Sequence, residues 1–460
     1  MHTYGVILLF ILLTNVRFGS MIKSVNITKK RNIAGFTGTE CMVSCCTAAD
    51  RSTSVMQKNI IPDTGEYVTV ISGEDWGPAV TKLVVKAGKS IASANVQKEL
   101  FTVSAHSQDF DWEKTTELTA DAERRVLDAY TSDASGNRKT GSGRYITLEL
   151  PFGPSDSFSN PFFYDVKTEF NGWKKPYDFK IESPLLQKPA VISAGRICPS
   201  AENFFAGTSI TGSITLSYAW YKPLKRGKHP LIIWLHGAGE GGHDPSVMLL
   251  GNKITALADY NIQKIFGGAY ILAPQSPLVW MTQGGTPYDL TRERPASMYS
   301  EAVEALIRKF IADHPDIDTN RIYIGGCSNG GYMTVNLVIR NPGFFAAAFP
   351  VCEAYRDEFI TDAEIAQLAD EHMWFTASAK DEVVNPDEHI LPTVGRIRKA
   401  GGKDIHESYF KEVRDTSGRY KKDDGTPYEY QGHWSWLYVL NNQCTDNGMT
   451  IMEWLASRSK

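Results

Sequence analysis

Residues 326–330 of this chain read Gly-Cys-Ser-Asn-Gly, a G-x-S-x-G pattern. An apolar run at 322–324 precedes the pattern, and a segment of helical character at 331–341 follows it. A serine on such a sharp strand-to-helix turn holds its Oγ above the edge of a sheet, and the flanking glycines avoid collisions with the neighbouring strand and helix. The stretch therefore predicts a nucleophile elbow built around Ser328. The bare pattern arises by chance in roughly one chain in six of this length, so the prediction depends on the remaining parts of such a site.

A glycine-rich loop follows an earlier apolar run. Residues 231–235 read Leu-Ile-Ile-Trp-Leu, as expected of a strand buried on both faces, and they lead into His-Gly-Ala-Gly-Glu-Gly-Gly at 236–242. Glycines let the backbone approach a developing oxyanion closely, so the N–H of Ala238 or Gly239 and that of Asn329, next to the serine, are the expected donors. A flexible surface loop is the alternative interpretation, and the nearby elbow weakens it.

A carboxylate follows a downstream strand. Residues 373–379 read Met-Trp-Phe-Thr-Ala-Ser-Ala and predict another buried strand, after which Asp381 and Glu382 stand side by side. An acid at this point accepts a hydrogen bond from a histidine and holds the tautomer that leaves Nε2 free as a base. Asp381 is favoured because the Asp-x-x-Val spacing, followed shortly by Pro386, resembles the acid loop of many hydrolases of this type. Glu382 stays open as the alternative.

The chain has ten histidines. If the histidine follows the acid in chain order, as it does after an elbow of this kind, only His389, His406 and His433 qualify. His389 lies in a predicted helix and His406 begins a predicted strand, so both are expected to be packing or surface residues. His433 lies in a Gly-His-Trp-Ser-Trp loop after that strand, where a catalytic histidine is expected.

Together these three stretches resemble the α/β-hydrolase superfamily over about residues 195 to 460. Within it they look like secreted bacterial esterases of the polyhydroxybutyrate-depolymerase-like and prolyl-oligopeptidase-like group. Several members of that group carry an N-terminal immunoglobulin-like domain, and Gly-Glu-Asp-Trp-Gly-Pro-Ala-Val at 73–80 resembles a segment of it. The resemblance implies a serine hydrolase preceded by a smaller all-β domain.

Length and composition agree with two domains, since the chain has 460 residues of which 42% are hydrophobic. Short runs rich in Val, Ile, Tyr and Phe, separated by turn residues, predict an immunoglobulin-like β-sandwich over 61–185. Alternating strands and helices predict an α/β catalytic domain over 195–460, with a doubly wound, mostly parallel sheet. The strand candidates lie at 66–72, 80–86, 100–103, 124–130, 144–150 and 162–170, and then at 214–221, 231–235, 269–273, 321–325, 346–351, 373–379 and 405–410.

The N-terminus has eight apolar residues at 6–13, which fit the core of a signal peptide and are too short to span a bilayer. We therefore predict a signal peptide over 1–20, a weakly ordered segment over 21–60, secretion or export to the periplasm, and no stable membrane insertion. The formal net charge is −4 and no basic run occurs, which argues against nucleic acid as a partner. The seven cysteines fit neither zinc-ligand spacing nor a dense disulfide scaffold, so no metal is predicted.

These features predict a serine esterase that needs no cofactor, with Ser328 attacking the ester, His433 taking its proton and Asp381 orienting the histidine. A serine peptidase is the first alternative, and a binding protein with an inactive hydrolase domain is the second. Trp280, Trp434 and Trp436 suit an aromatic platform for a sugar or phenolic ring, although packing is the favoured interpretation. Short-chain acyl or aryl esters, including acetyl or feruloyl esters on plant polysaccharides, are the expected small-molecule or polysaccharide-linked substrates; the oligomeric state is not predicted.

Overall fold

The computed structural model describes residues 53–111, 115–283, 286–287 and 294–460. The predicted signal peptide at 1–20, and the predicted weakly ordered segment as far as residue 52, lie outside these ranges. None of the helices in the described ranges has the length and apolar character needed to cross a membrane.

The N-terminal domain is a β-sandwich. A five-stranded sheet has the order β11-β2-β3-β7-β6, a three-stranded sheet has the order β10-β4-β5, and β8 and β9 form a separate hairpin. The strands are β2 (Glu66–Glu74), β3 (Gly77–Ala92), β4 (Thr102–Asp111), β5 (Thr116–Glu123), β6 (Asp128–Ser132), β7 (Ser142–Glu149), β8 (Phe162–Asp165), β9 (Phe170–Trp173), β10 (Tyr177–Glu182) and β11 (Ile192–Ile197). They are preceded by β1 (Thr53–Ser54), which belongs to the sheet of the second domain. Short 3-10 helices lie at Ser93–Asn95 and Lys98–Leu100.

The two sheets of the sandwich meet through their apolar faces. Along β10, Phe179 and Ile181 are buried while their neighbours in the strand are exposed, which is the alternation expected of a sheet with one solvated face. The ring of Tyr67 in β2 packs edge-on against the ring of Phe179, with centroids 5.8 Å apart. The Tyr67 hydroxyl also accepts a hydrogen bond of 3.0 Å from the Phe179 N–H, so the buried phenol keeps a polar partner.

The second domain is built on a nine-stranded sheet of order β1-β12-β13-β15-β14-β18-β19-β20-β21. The strands of this domain after β1, of which the four short strands β16, β17, β22 and β23 lie outside this sheet, are β12 (Phe204–Thr211), β13 (Ile214–Tyr221), β14 (His229–Leu235), β15 (Tyr270–Gln275), β16 (Thr282–Gln283), β17 (Thr286–Pro287), β18 (Ile317–Cys327), β19 (Ala347–Val351), β20 (Met373–Ser378), β21 (Ile405–Phe410), β22 (Thr445–Asp446) and β23 (Met449–Thr450). Its helices are α1 (Pro245–Gly251), α2 (Tyr260–Phe266), α3 (Ser300–Asp313), α4 (Asn329–Arg340), α5 (Asp362–Leu368), α6 (Ile390–Lys399), α7 (Trp436–Leu440) and α8 (Ile451–Ser457). Further 3-10 helices lie at Pro199–Ala201, Ala238–Glu240, Ile254–Ala258 and Asp357–Phe359.

In this sheet the strands β15, β14, β18, β19, β20 and β21 are parallel to one another, whereas β1, β12 and β13 form an antiparallel edge. All residues of β14, β15, β19 and β20 are buried, because helices cover both faces of the sheet. Parallel strands end at one edge, so the loops after β14, β18, β19 and β20 gather there. The predicted α/β fold with a smaller all-β domain before it is confirmed.

The observed strands depart from the predicted domain boundaries at both ends of the sandwich. Residues 53–54 form β1 at the edge of the large sheet, although they fall in the segment predicted to be weakly ordered. Strand β11 pairs in parallel with β2, so the sandwich sheet reaches residue 197, beyond the predicted range 61–185 and past the predicted start of the second domain at 195. Two residues are too few to carry a strand pattern, and four of the six residues of β11 are small, polar or charged, which explains why the sequence signalled neither strand.

Polar contacts join the two domains. Lys253, which precedes a 3-10 helix of the second domain, donates to the Asp75 carboxylate at 2.7 Å, and Arg419 forms an ion pair with Glu74. The β8–β9 hairpin reaches the loop after β14, where the Asn171 amide donates to the Glu240 carboxylate at 3.0 Å. The sandwich therefore contacts the glycine-rich loop that the sequence associates with the oxyanion.

Candidate active site

Ser328 occupies the turn between β18 and α4. Its backbone has φ 57° and ψ −119°, a conformation that costs a non-glycine residue about 1–3 kcal/mol and persists because its surroundings fix it. The Ser328 N–H donates to the Val351 carbonyl at 2.9 Å, and the Ser328 carbonyl accepts from Ala354 at 3.2 Å. A Cβ on Gly326 or Gly330 would lie 2.5 or 2.1 Å from the Leu235 carbonyl oxygen, so both positions require glycine. This is the geometry of a nucleophile elbow.

Asp381 and His433 are hydrogen-bonded to each other. The His433 Nδ1 lies 2.8 Å from Asp381 Oδ2, and the other carboxylate oxygen accepts from the N–H groups of Val383 and Val384 at 2.9 Å each. These bonds fix the carboxylate while leaving His433 Nε2 on the opposite side of the ring. Glu382, the alternative acid, is exposed.

The other two candidate histidines have partners elsewhere. His389 Nδ1 lies 2.9 Å from the Asn385 carbonyl oxygen. His406 bridges Asp446 and Asp404 at 2.7 and 2.8 Å. Among the histidines that follow the acid, only His433 contacts Asp381 in the described part of the chain.

Gly432 lets the histidine loop lie directly on the acid loop. A Cβ at this position would lie 1.9 Å from the Lys380 carbonyl oxygen and 2.9 Å from the Asp381 nitrogen, far inside van der Waals contact. No rotamer change relieves such an overlap, because both atoms are backbone.

We expect Gly432→Ala to lower kcat by roughly 10²-fold, because the loop must move and a displacement of this kind separates His433 from Asp381. The matched control is Gly395→Ala in α6, where an added Cβ meets nothing within 4 Å and alanine favours the helix. Steady-state kinetics of both variants measure the effect. Equal activity of the two variants would contradict the tight packing of the loops.

Cys352 brings a thiol to the His433 ring. It follows β19 directly, and its Sγ lies within 4.8 Å of a ring nitrogen of His433. Because Ser328 is hydrogen-bonded to Val351 and Ala354, the residues on either side, Cys352 lies in the segment that is held against the elbow. No hydrogen bond joins Ser328 Oγ to His433 in the described part of the chain; in free enzymes this bond is often long and tightens when substrate binds.

The charge on His433 depends on its neighbours. Burial lowers the pKa of its imidazole, whereas Cys352 and Asp381 raise it, and the net direction is upward. Burial also raises the pKa of the Cys352 thiol to about 11, so the thiol is neutral near neutral pH. The Asp381 carboxylate is therefore the charge that stabilises a protonated His433.

The same three residues are the one group of potential metal ligands in the described ranges. Cys352, Asp381 and His433 offer ligand atoms within 4.8 Å of one another. The Nδ1 of His433 already faces Asp381, so the group coincides with the histidine–acid pair. The four described cysteines, Cys198, Cys327, Cys352 and Cys444, are all buried and unbridged.

The predicted oxyanion donors lie on two elements. Asn329 is the first residue of α4, where helix geometry leaves N–H groups without an intrahelical partner, and its side-chain oxygen accepts from the Trp280 N–H at 2.5 Å. Ala238 and Gly239 are half-buried in the 3-10 turn after β14. All three residues therefore follow strands of the sheet, at the edge where Ser328 lies.

His236 supports the glycine-rich loop from beneath. Its Nδ1 lies 2.6 Å from the Gly237 carbonyl oxygen, and its Nε2 accepts from the Ser276 N–H at 3.1 Å. Burial lowers the pKa of its imidazole to about 4, so the ring is neutral in this hydrogen-bonding arrangement. His236 is therefore a structural residue of the loop.

The three tryptophans differ in exposure. Trp280 is fully buried and its Nε1 donates to the His236 carbonyl at 3.0 Å, so it packs beneath the loop and the platform prediction does not hold for it. Trp436 is buried with its ring edge-on to His433, the centroids being 5.8 Å apart. Trp434 is half-buried and packs against Tyr430. Most of the surface of these three tryptophans is therefore packed against other residues, as the favoured interpretation expects.

Glu240 is a functional candidate that the sequence did not single out. It is buried in the loop after β14, and burial raises the pKa of its carboxyl group to about 7. Interactions with Asn171, Asn252 and the Gly237 backbone, and the charge of His433, act in the opposite direction and lower this pKa. The only sequence signal is an acidic residue within a run of glycines. Its partner Asn171 carries no signal, because it lies in another domain.

The raised pKa of Glu240 predicts a pH-dependent stability. Between the ordinary carboxyl pKa of 4.5 and the native pKa of about 7, the folded protein binds the proton that the unfolded chain has lost, so wild-type stability falls as pH rises through this window. Relative to the wild type, Glu240→Gln should gain about 3 kcal/mol of unfolding free energy between about pH 4 and about pH 8. Denaturant melts at both pH values measure the change, and a pH-independent difference would refute it.

A cleft of about 490 Å³ lies beside this loop. One wall is the β8–β9 hairpin, which contributes Phe163, Phe170 and Asn171, and the other is the segment from Gly241 to Asp244. Both domains therefore line the cleft.

Comparisons with known proteins agree with this architecture. Residues 66–187 match the family model described as the esterase Ig-like N-terminal domain, and residues 297–393 match that of the prolyl oligopeptidase family. The chain thus has the α/β-hydrolase fold, preceded by an immunoglobulin-like domain. The second match spans Ser328 and Asp381, and the prediction of a hydrolase is confirmed in this general form.

Solved structures similar to this chain include a thermostable esterase, which is 23% identical with a TM-score of 0.67; the match covers 86% of this chain and 100% of the esterase. That likeness shows the shared fold. A ferulic acid esterase is 14% identical, with a TM-score of 0.37 and coverages of 45% and 89%. The Pyrococcus horikoshii acylaminoacyl peptidase is 18% identical, with a TM-score of 0.33 and coverages of 45% and 36%. The two lower TM-scores support no inference, and no curated protein sequence matches the chain.

Proposed function

We propose that this α/β-hydrolase is a serine esterase that cleaves carboxylic esters through Ser328, His433 and Asp381. The observation that carries the proposal is the 2.8 Å bond between His433 Nδ1 and Asp381, together with the positive φ of Ser328 in the elbow. The bond leaves Nε2 as the basic atom of His433, and the elbow exposes the Ser328 hydroxyl.

In the proposed reaction, Ser328 Oγ attacks the ester carbonyl while His433 Nε2 takes the hydroxyl proton. The oxyanion accepts hydrogen bonds from the N–H of Asn329 and from that of Ala238 or Gly239. The tetrahedral intermediate collapses as His433 returns the proton to the leaving alcohol, which leaves an acyl-enzyme on Ser328. Water, deprotonated by His433, then releases the carboxylic acid and restores the serine. No metal or organic cofactor takes part in these steps.

A serine peptidase is the second candidate, and the match to the prolyl oligopeptidase family favours it. Against it, peptide cleavage requires protonation of a poor amine leaving group, whereas an alkoxide or phenolate leaves more easily. The N-terminal domain is a sandwich rather than the large propeller that filters peptides in prolyl oligopeptidases. A binding protein with an inactive hydrolase domain is the weakest candidate, because the His433–Asp381 bond and the strained serine are retained.

The esterase proposal is tested by comparing kcat/KM for an acetyl or feruloyl aryl ester with that for a blocked Gly-Pro amide. We expect kcat/KM to be higher for the ester by at least about 10³-fold, because ester cleavage does not require the departure of a poor amine leaving group. Ser328→Ala serves as the blank. A preference for the amide would replace the esterase proposal with the peptidase one.

Small-molecule or polysaccharide-linked esters remain the proposed substrates, and neither nucleic acid nor stable membrane insertion forms part of the proposal. Secretion or export to the periplasm is proposed from the apolar stretch at 6–13. Fractionation of producing cells, with N-terminal sequencing of the mature protein, tests it. Protein confined to the cytoplasm with an intact N-terminus would refute export.

A further inference from the structure

A buried carboxyl group lies at the end of the proposed oxyanion loop. Glu240 directly follows Ala238 and Gly239, and only 6% of it is exposed. A Cβ on Gly251 would lie 2.9 Å from Glu240 Cγ, and one on Gly237 would lie 3.1 Å from its Oε2. The two glycines therefore make the space that the side chain occupies.

No lysine or arginine among the described residues forms an ion pair with Glu240. Its carboxyl group instead accepts a hydrogen bond of 3.0 Å from Asn171 Nδ2, the amide of a residue in the other domain. The nearby Gly237 N–H donates to the Asn252 side-chain oxygen at 3.4 Å. A buried carboxyl group is costly unless it is hydrogen-bonded, so the bond from Asn171 helps to decide where the Glu240 side chain lies.

The contacts of Glu240 bracket the proposed oxyanion donors. On one side its carboxyl oxygen Oε2 packs against Gly237, where an added Cβ would lie 3.1 Å from it, and on the other its own backbone carbonyl accepts from Gln275 Nε2 at 2.9 Å. Ala238 and Gly239 are the two residues between these fixed points. The orientation of their N–H groups therefore depends on where the Glu240 side chain is held.

Asn171 holds that side chain from the sandwich domain. Its Nδ2 donates to Glu240 Oε1 at 3.0 Å and would lie 2.9 Å from a Cβ on Gly239, so the amide also covers the backbone of the loop. Asn171 lies in β9, opposite Tyr164 of β8, and the short hairpin fixes its position.

We propose that Glu240 is a positioning residue for the oxyanion hole and that Asn171 of the sandwich domain is its essential partner. The immunoglobulin-like domain thereby completes the catalytic site through one hydrogen bond. This inference rests on the proposed esterase function.

The test uses the full-length protein and the variants Asn171→Ala, Asn171→Asp and Asn171→Asp/Glu240→Gln. The aspartate is nearly isosteric with Asn171 but places a second carboxylate against Glu240, and the double variant restores one donor and one acceptor with their positions exchanged. Arg419→Ala is the control, because it removes another contact between the domains, the ion pair with Glu74. Thermal melts establish that each variant is folded.

Two quantities are measured, the kinetic constants for an aryl acetate and the inhibition constant of a trifluoromethyl ketone, whose tetrahedral adduct places an oxyanion in the hole. We expect Asn171→Ala and Asn171→Asp to lower kcat and the affinity for the ketone in parallel by roughly tenfold or more, while KM stays within about twofold. The expected loss is smaller than the roughly 10²–10³-fold decrease in kcat that follows removal of a whole oxyanion-hole donor, because the donors are displaced and not removed. The double variant should recover part of the loss of Asn171→Asp. Arg419→Ala should behave as the wild type.

If Asn171→Asp kept the wild-type kcat and ketone affinity, the inference would be overturned. A side chain of the same shape but without the hydrogen-bond donor would then suffice to hold the loop. An equal loss in Arg419→Ala would also overturn it, since any contact between the domains would then have the same effect. Failure of the esterase proposal is distinguishable, because the wild-type protein itself would then not hydrolyse the ester.

Discussion

Ser328→Ala is expected to lower kcat for ester hydrolysis by on the order of 10⁴-fold or more while leaving the protein folded. The residue lies at a turn whose strain is fixed by the backbone of Val351 and Ala354, not by its own hydroxyl, so removing Oγ eliminates the nucleophile without disturbing the elbow. Thermal melts and steady-state kinetics on an aryl acetate measure the two effects separately.

His433→Ala should cause a loss of similar size, because nucleophile and base act as a unit and their effects are not additive. His389→Ala is the matched control, since the Nδ1 of that imidazole lies 2.9 Å from the nearby Asn385 carbonyl oxygen. Near-wild-type turnover by folded Ser328→Ala would exclude the residue as the nucleophile.

Asp381→Asn is expected to lower kcat by about 10⁴-fold. The amide cannot stabilise the imidazolium that forms on His433, and its NH₂ group favours the tautomer that places the proton on the wrong nitrogen. Glu382→Gln should change kcat by less than about twofold, because that side chain is exposed and surface substitutions have small effects. The reverse ranking in the same assay would transfer the role of the acid to Glu382.

Much of the site could be predicted because its residues are ordered along the chain and the fold gathers strand ends at one edge. The strands at 214–221 and 405–410 have the predicted bounds, and the loops after β14, β18 and β20 follow continuous apolar runs. Ser328, Asp381 and His433 each lie directly after, or on a loop following, such a strand. The hydrogen bond between Asp381 and His433 is the contact that this order implies.

Contacts between side chains that are distant in sequence could not be predicted in this way. Asn171 and Glu240 are 69 residues apart and belong to different domains, and neither pattern nor propensity indicates that they meet. Cys352 likewise reaches His433 because of how the loop after β19 turns, with Cys352 itself at φ 36°. Trp280 was an attractive surface candidate by its type, yet its position beneath the loop depends on tertiary packing.

Labelling with a fluorophosphonate, followed by peptide mapping, directly tests whether Ser328 is an activated nucleophile. This reagent phosphonylates a serine only where a base and an oxyanion hole activate it. We predict one stoichiometric adduct, on the peptide that contains Ser328, with no labelling in Ser328→Ala and much slower labelling in His433→Ala. An adduct on Cys352, on another serine, or undiminished labelling of Ser328→Ala would contradict it.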